Sequence, residues 1–251
     1  MISFSINGKK VEGEPGEMVL HVARRHGFEI PAHCHHDGVE PFGACRLCLV
    51  EITHKDWKGW KGLVTSCLYP IEEGLEVTTD NEEIHRVRKV LVDLLLARCP
   101  DAPAVQKLAA SYGISKSSYA EHPERPLCTL CTLCVRACEA IGANAIGTTH
   151  RGWSRTVGTP FDLPPEACVG CGTCARICPT NAIACREDDR SRHIWDRDFA
   201  FARCESCGRP LLTEAHRDLV ARQSGLGADY FTRCDQCKRD DMSKVFSQLA
   251  R

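Results

Sequence analysis

Eight cysteines in the middle of the chain form two runs with the same spacing. The runs are Cys128-x2-Cys131-x2-Cys134-x3-Cys138 and Cys168-x2-Cys171-x2-Cys174-x3-Cys178, the second followed by Pro179. The flanking residues repeat as well: Val135-Arg136-Ala137 corresponds to Ala175-Arg176-Ile177, and Asn144-Ala145-Ile146 corresponds to Asn181-Ala182-Ile183. A repeat that includes both the cysteines and their neighbours indicates two copies of one structural unit.

This spacing is typical of paired [4Fe-4S] clusters. Three thiolates of each run bind one cluster, and the fourth binds the cluster of the other run. We therefore predict one cluster on Cys128, Cys131, Cys134 and Cys178, and a second on Cys138, Cys168, Cys171 and Cys174. Eight structural zinc ligands are the alternative, but zinc knuckles seldom chain three cysteines at two-residue gaps in duplicate.

The composition fits several small modules with metal sites. The chain has 251 residues, enough for two to four modules, and its 18 cysteines are grouped at ligand spacings. No basic-then-apolar leader opens the sequence, which favours a reducing, cytoplasmic setting over a disulfide-rich secreted one. The longest apolar run is broken by Asp93, so no membrane span is predicted. A formal net charge of -1 without a basic block argues against nucleic acid as a partner.

The sequence pattern of residues 1–80 predicts a separate α+β domain that contains four cysteines of its own. Alternation in Ser3–Ile6 and the dipeptide Asn7-Gly8 predict a β-hairpin, and helical spacing follows from Met18 to Arg25. The next cysteines are spaced Cys34-x10-Cys45-x2-Cys48-x18-Cys67. This order is that of a β-grasp ferredoxin, and four thiolates suit a [2Fe-2S] cluster, in which each iron takes two.

A Rieske centre is the competing interpretation of this region, because Cys34-His35-His36 contains Cys-x-His. That centre requires a histidine where Cys48 stands. We therefore expect His33, His35 and His36 to form hydrogen bonds near the cluster rather than to bind iron.

Three segments carry a resemblance to a known family: Ile30-Pro31-Ala32-His33-Cys34, then residues 43–51, then Ser66-Cys67. They resemble the N-terminal domain of the large iron–sulfur subunit of respiratory complex I, which also begins the diaphorase subunits of NAD-linked hydrogenases and formate dehydrogenases. The resemblance covers about residues 1–100. It implies an electron-relay subunit between a flavin- and NAD(P)-binding diaphorase subunit and a catalytic subunit of the hydrogenase or formate dehydrogenase type.

One cluster site of complex I is missing from this chain. There, a His-x3-Cys-x2-Cys-x5-Cys site follows the same domain, but Pro103 and Gln106 stand where two of its cysteines would be. We therefore predict that Cys99 is a buried, lone thiol.

The connecting region predicts a helix followed by a linker. From Glu82 to Ala97 an apolar face is predicted, with charged residues opposite. The apolar face comprises Ile84, Val87, Leu91, Leu94 and Leu95, and the opposite face Arg86, Arg88 and Lys89. Residues 102–126 begin with a short helical pattern through Val105, Leu108 and Ala109, and the segment as a whole is interpreted as a flexible linker that sets the distance between the cluster domains. In the insertion at residues 54–61, Trp57 and Trp60 either dock on a partner or lean back on their own hairpin.

Three arginines lie close to predicted ligands: Arg46, Arg136 and Arg176. A cation there raises the reduction potential of a cluster, but a solvated surface arginine is equally ordinary.

Four cysteines near the C-terminus form a different pattern. Cys204-x2-Cys207 and Cys234-x2-Cys237 are two knuckles that suit a tetrahedral zinc ion, with a helix predicted between them at residues 211–222. A third [4Fe-4S] cluster or a rubredoxin-like iron is the alternative. Cys185 fits no set and is predicted to be a structural thiol.

Together these patterns predict an α+β chain in four parts. They are a β-grasp [2Fe-2S] ferredoxin domain at residues 1–80, a helical connector at 81–122, a bacterial-type ferredoxin domain with two [4Fe-4S] clusters at 123–190, and a zinc-ribbon-like module at 195–251. The predicted cofactors are one [2Fe-2S] cluster, two [4Fe-4S] clusters and one zinc ion, and no catalytic residue is predicted. A stand-alone ferredoxin-like carrier and an iron–sulfur reductase are the alternatives to a relay subunit.

Overall fold

The N-terminal domain is a five-stranded sheet covered by one short helix. A computed structural model describes residues 1–249 of the chain. The strands are β1 (Ile2–Ile6), β2 (Lys9–Gly13), β3 (Leu49–His54), β4 (Lys61–Thr65) and β5 (Leu75–Thr78), in the order β2-β1-β5-β3-β4, and the helix is α1 (Val19–Arg25). Strands β1 and β5 are parallel, and the other neighbours are antiparallel.

The predicted hairpin at the start of the chain is confirmed. Asn7 and Gly8 have φ angles of +50° and +76°, the left-handed conformation that a two-residue hairpin turn needs. Alternate strand residues then point into one core, where Ile6, Val50 and Val77 are almost completely buried. Each such side chain contributes about 1.5–3 kcal/mol of burial free energy. Cys48 and Cys67 belong to the same core, so two predicted ligands lie on a rigid base.

The long connector helix buries the predicted apolar face only in part. Helix α2 (Glu82–Arg98) begins at Asn81, whose side-chain oxygen accepts from the backbone N–H of Ile84 at 2.9 Å. Its buried positions include Ile84, Arg88 and Val92, whereas Leu94 is 47% exposed. The prediction that Arg88 lies on the solvent face was therefore wrong.

Arg88 is buried because it satisfies three backbone carbonyl groups. Its Nε donates to the carbonyl oxygen of Leu47 at 2.9 Å, and its Nη2 donates to those of Leu49 at 2.7 Å and Thr79 at 3.0 Å. Leu47 and Leu49 flank Cys48. The helix thus turns its arginine toward the loop that carries a predicted cluster ligand.

The segment after α2 is packed rather than flexible. Helix α3 (Pro103–Ser111) shares an apolar cluster with α2. Beyond it, the hydroxyl groups of Ser117 and Ser118 donate to the Asp93 carboxylate, and the N–H of His122 donates to the carbonyl oxygen of Ala97 at 2.8 Å. The prediction of a flexible linker was wrong, because these contacts fold the segment back onto α2.

The second half of the chain carries short helices and two small antiparallel sheets. Its elements are α4 (Leu133–Ile141), β6 (Gly147–Thr149), β7 (Thr156–Gly158), α5 (Thr173–Arg176), β8 (Cys185–Glu187), β9 (Ser191–Ile194), β10 (Arg197–Arg203), β11 (Pro210–Thr213), α6 (Glu214–Ser224) and α7 (Asp235–Leu249). Strands β6 and β7 pair with each other, and β11-β10-β9-β8 form a four-stranded sheet. This sheet runs from the region of the paired cysteines into the C-terminal module.

The predicted helix between the two C-terminal knuckles is present but begins later than expected. Helix α6 starts at Glu214 rather than at residue 211, because Leu211 and Leu212 belong to β11, and the side-chain oxygen of Thr213 caps the helix. Residues 250 and 251 of the predicted C-terminal module lie outside the described residues. Among residues 1–249, no helix combines the length and the apolar character needed to cross a membrane.

We expect Arg88→Ala to destabilise the N-terminal half strongly. Three buried carbonyl groups would lose their donor, and an unsatisfied buried group costs about 1–3 kcal/mol. The free energy of unfolding should fall by about 3 kcal/mol or more, measured by circular dichroism during urea denaturation. The exposed Arg86 on the same helix is the control, and Arg86→Ala should change stability by no more than about 0.5 kcal/mol. Equal stability of the two variants would contradict the role of Arg88.

Candidate iron–sulfur and metal sites

The four N-terminal cysteines come together as two pairs at the edge of the first core. The Sγ atoms of Cys48 and Cys67 lie 3.4 Å apart, and the backbone N–H of Cys45 donates to the Sγ of Cys34 at 3.4 Å. Cys34, Cys48 and Cys67 are each about 1% exposed, and all eighteen cysteines of the chain are free thiols. Two pairs of sulfurs suit a cluster of two irons, each of which takes two thiolates.

One sulfur of each pair ionises readily. The side-chain hydrogen bond between Cys34 and Cys45 lowers the pKa of Cys45 to about 6, and that between Cys48 and Cys67 lowers the pKa of Cys48 to about 7. The same hydrogen bonds, together with burial, raise the pKa values of Cys34 and Cys67. Because the thiolate is the form that binds metal, a sulfur with a lowered pKa in each pair favours metal binding near neutral pH.

The paired runs enclose two separate cavities, each lined by one predicted ligand set. A cavity of about 300 Å³ is lined by Cys128, Cys131, Cys134 and Cys178, together with threonines, Arg186, His193 and Trp195. A smaller and more enclosed cavity is lined by Cys138, Cys168, Cys171 and Cys174. In both cases the fourth cysteine of one run lies with the first three of the other. This crossing is the arrangement expected of a two-cluster site.

The repeated Asn-Ala-Ile segments have a structural role that the sequence does not reveal. Asn144 and Asn181 both have a positive φ, +49° and +53°, a conformation that asparagine tolerates better than most residues. The turn directs the next backbone N–H onto the last cysteine of each run: Ala145 donates to the Sγ of Cys138 at 3.2 Å, and Ala182 to that of Cys178 at 3.3 Å. Such N–H groups stabilise negative charge on cluster sulfurs.

Both runs also turn through left-handed residues between their cysteines. In the second run these positions are glycines, Gly170 and Gly172, with φ of +63° and +73°. In the first run they are Leu130 and Thr132, with φ of +57° and +59°. A non-glycine residue held in this conformation costs of order 1–3 kcal/mol and often marks a functional site. The strain fits loops that must curve around a buried group.

Arginines donate to the outward-facing carbonyl groups of the ligand loops. Arg98 donates to the carbonyl oxygen of Cys128 at 2.9 Å, Arg192 to that of Gly170, and Arg197 to that of Cys168 at 3.2 Å. All three arginines lie far from these loops in sequence, so spacing alone did not identify them. Among the three arginines that were predicted, Arg46 and Arg176 are exposed, and only Arg136 contacts the loops.

The histidines beside Cys34 form hydrogen bonds, as expected. His33 Nε2 lies 2.9 Å from the hydroxyl of Thr129, His35 Nε2 lies 3.2 Å from Asp37, and His36 Nδ1 accepts from the N–H of Gly38 at 3.0 Å. Thr129 lies between Cys128 and Cys131, so this contact places the loop at Cys34 beside the first run of paired cysteines.

The C-terminal cysteines form the tightest of the four groups. The ligand atoms of Cys204, Cys207, Cys234 and Cys237 all lie within 4.8 Å of one another. Two backbone N–H groups donate to the sulfurs, from Cys234 to Cys204 at 3.3 Å and from Cys237 to Cys234 at 3.4 Å. The first of these hydrogen bonds lowers the pKa of Cys204 to about 6, so this thiolate is available near neutral pH.

The remaining cysteines and the two tryptophans lie outside these groups. Cys99 is completely buried in the apolar cluster of α2 and α3, and burial raises its pKa to about 12, as expected of a lone structural thiol. Cys185 lies in β8 and is partly buried. Trp57 packs against the first core and against Trp60, whose ring lies over Gly62 of the same hairpin. Both tryptophans therefore lean on their own hairpin, although Trp60 stays 58% exposed.

Two family profiles match the chain where the cysteines lie. A 2Fe-2S iron-sulfur cluster binding domain matches residues 1–82, and a 4Fe-4S binding domain matches residues 163–184. The chain is 31% identical to a subunit of the NADH-quinone oxidoreductase of Rhizobium meliloti over 83% of its length. It is 30% identical to the alpha subunit of the NADPH-Fe(3+) oxidoreductase of Geobacter sulfurreducens over 86% of its length.

The chain is also similar to a solved structure. One chain of an NAD+-reducing [NiFe]-hydrogenase in the H2-reduced state superposes with a TM-score of 0.60 at 28% identity, over 72% of this chain and 86% of that one. The chain is a relative of the diaphorase-type iron–sulfur subunits. It spans only 27% and 28% of the length of the two curated relatives.

Substitution of single cysteines should separate the sites. Cys45→Ser removes the sulfur with the lowest pKa of the N-terminal set, so we expect it to abolish the [2Fe-2S] signal in electron paramagnetic resonance (EPR) spectra and to leave the [4Fe-4S] signals. Cys99→Ala removes a buried thiol outside every group and should change no cluster signal. Loss of any cluster signal in Cys99→Ala would show that this thiol is a ligand.

Proposed function

We propose that the chain is an electron-relay subunit with one [2Fe-2S] and two [4Fe-4S] clusters. The [2Fe-2S] cluster is assigned to Cys34, Cys45, Cys48 and Cys67, and the [4Fe-4S] clusters to the two crossed sets that line the cavities. Bound there, each cluster accepts and donates one electron at a time. The observation that carries the proposal is the placement of three thiol-lined sites side by side in one chain.

The proposed partners follow from the relatives. One relative belongs to an NADH-quinone oxidoreductase, and the similar solved structure is an NAD+-reducing hydrogenase. We propose a flavin- and NAD(P)-binding diaphorase subunit as one partner and a catalytic subunit of the hydrogenase or formate dehydrogenase type as the other. A flavin converts hydride chemistry into single-electron steps, which suits the one-electron sites of this chain.

The chain's own residues contribute surroundings for these clusters. Backbone N–H groups of Ala145 and Ala182 stabilise negative charge on Cys138 and Cys178. Burial excludes water from Cys134 and Cys174, and raises the pKa values of their free thiols to about 12 and about 11. These thiols must therefore lose their protons as they bind iron.

We further propose that the C-terminal cysteines hold one zinc ion. Zinc–sulfur bonds of about 2.3 Å in a tetrahedron place the sulfurs about 3.8 Å apart. The Sγ atoms of Cys207 and Cys234 lie 3.7 Å apart. Four irons at the corners of a cube would hold their thiolates farther apart than one ion does. Zinc has no redox chemistry, so residues 195–251 would form a structural or docking module.

Metal analysis tests the assignment of sites. The four sets predict about ten irons, from 2 + 4 + 4, and about one zinc ion per chain. Anaerobically purified protein should give these values by inductively coupled plasma mass spectrometry. About fourteen irons without zinc would instead assign a third cube to the C-terminal cysteines.

The relay role predicts dependence on a flavin-bearing partner. We expect the purified chain, without bound flavin, to be reduced by dithionite but not to oxidise NADH with a dye acceptor. Addition of the diaphorase subunit should allow NADH to bleach the visible absorption of the clusters. Rapid NADH oxidation by the chain alone would favour the iron–sulfur reductase, and no reduction with any diaphorase partner would favour a stand-alone carrier.

A further inference from the structure

Arg136 joins the loop of the first [4Fe-4S] site to the loop of the [2Fe-2S] site. It lies on α4, two residues before Cys138. Its Nη2 donates to the carbonyl oxygen of Cys34 at 2.7 Å and to that of Cys131 at 3.3 Å. One guanidinium group thus contacts backbone atoms of one proposed ligand of the [2Fe-2S] cluster and one of the first [4Fe-4S] cluster.

The same side chain also holds the ten-residue stretch between Cys34 and Cys45. Its Nη1 donates to the carbonyl oxygen of Glu40, and its guanidinium carbon lies 5.8 Å from the centre of the Phe42 ring. Its Nε donates to the hydroxyl of Thr132 at 3.3 Å. Because a guanidinium is a planar fork of fixed geometry, several simultaneous contacts restrict the distance and the angle between the loops.

Apolar and polar contacts surround this arginine. Cys34, Cys131 and Leu133 form one buried cluster, against which Val39 and Ile177 pack. The contact of His33 with Thr129 lies at the same junction. Cys131 is a proposed ligand of the first [4Fe-4S] cluster, and Ile177 precedes a second one, Cys178. The [2Fe-2S] site therefore faces this cluster.

The equivalent residue of the second repeat makes none of these contacts. Arg176 occupies the position of Arg136, two residues before the last cysteine of its run, but its side chain is 68% exposed and pairs with Glu187 at 3.3 Å. The two arginines have the same local sequence environment and different surroundings. Arg176 is therefore a matched control for Arg136.

We propose that Arg136 is a positioning residue that fixes the separation and orientation of the [2Fe-2S] site relative to the first [4Fe-4S] site. It acts through the backbone of the two loops and does not touch the reacting groups. The proposal deepens the relay function and rests on the cluster assignments made there. Its consequence is that electron exchange between these two sites depends on a side chain that binds neither cluster.

The test compares full-length Arg136→Gln and Arg176→Gln with the wild-type chain, each with its clusters and a measured iron content. Two reduced clusters held close together broaden or split each other's EPR signals. We expect this interaction in the dithionite-reduced wild type and in Arg176→Gln, and its loss or clear reduction in Arg136→Gln. Hydrogen exchange of the amides at residues 34–45 should also accelerate in Arg136→Gln alone.

Two further variants keep the proposal falsifiable. Arg136→Lys keeps the charge but loses the fork, so it should behave as Arg136→Gln does. Full recovery with lysine would assign the effect to charge and overturn the positioning role. If Arg136→Gln does not take up its clusters, Thr132→Ala, which removes the hydroxyl that accepts from the Nε of Arg136, should weaken the interaction in the same direction. Unchanged EPR spectra and exchange in that variant would then overturn the proposal.

The outcome is separable from that of the relay proposal. Dithionite reduces the clusters directly, so the EPR comparison does not require a flavin partner. Failure of NADH to reduce the wild type through a diaphorase subunit would count against the relay and would leave the positioning result intact. Wild-type spectra in Arg136→Gln at full iron content would overturn the positioning role and leave the relay standing.

Discussion

Donation by arginine to backbone carbonyl groups is the interaction on which the arrangement of the sites depends. Backbone N–H groups of the cysteine loops donate to the sulfurs, as those of Ala145 and Ala182 do. The carbonyl groups of the loops need donors of their own, because buried backbone groups are rarely left unpaired. Arg88, Arg136 and Arg192 supply these donors from elsewhere in the fold. The same contacts that satisfy the loops therefore also join them to neighbouring elements.

Helix α2 shows how this interaction sets the spacing of the sites. Arg88 holds the loop at Cys48, and Arg98, ten positions later on the same helix, holds the carbonyl oxygen of Cys128. Ten residues of α-helix span about 15 Å. A helix is stiff over this length, so α2 acts as a rigid spacer between the loop at Cys48 and the loop at Cys128, alongside the contacts of Arg136 with Cys34 and Cys131. The linker at residues 102–126 does not set this distance, because it packs back on the helix.

The sequence predicted the local features well and the long-range ones poorly. The hairpin at Asn7-Gly8 and the bounds of α2 follow from spacing and propensity, which act within a few residues. The buried face of α2 was misjudged because an arginine counts as polar in any periodicity analysis, whereas Arg88 is buried by its carbonyl partners 39 and 41 positions away. The packed linker was missed for the same reason. The hydrogen bond from Ser117 to the Asp93 carboxylate forms only when the segment folds back onto α2, and local sequence does not indicate that contact.

The two copies of the repeat differ because each packs against a different neighbour. In the second run, a Cβ atom at Gly170 would lie 2.3 Å from the Phe199 ring, and one at Gly172 would lie 3.1 Å from the guanidinium of Arg192. The close approach of β10 leaves no room for a side chain at residue 170, and at residue 172 a side chain would require Arg192 of β9 to move. The first run has Leu130 and Thr132 at these positions, and Thr132 instead accepts a hydrogen bond from Arg136.

Each half of the duplicated unit therefore packs against a different neighbour. The first run faces the [2Fe-2S] domain through Arg136, and the second faces the C-terminal sheet through its glycines. Two identical copies could not meet both demands, because a side chain at residue 170 would collide with the sheet, whereas the first run accommodates leucine at its equivalent position. The differences at these few positions therefore make the two repeats unequal. The first repeat contacts the N-terminal domain, and the second contacts the sheet that leads to the four-cysteine C-terminal module.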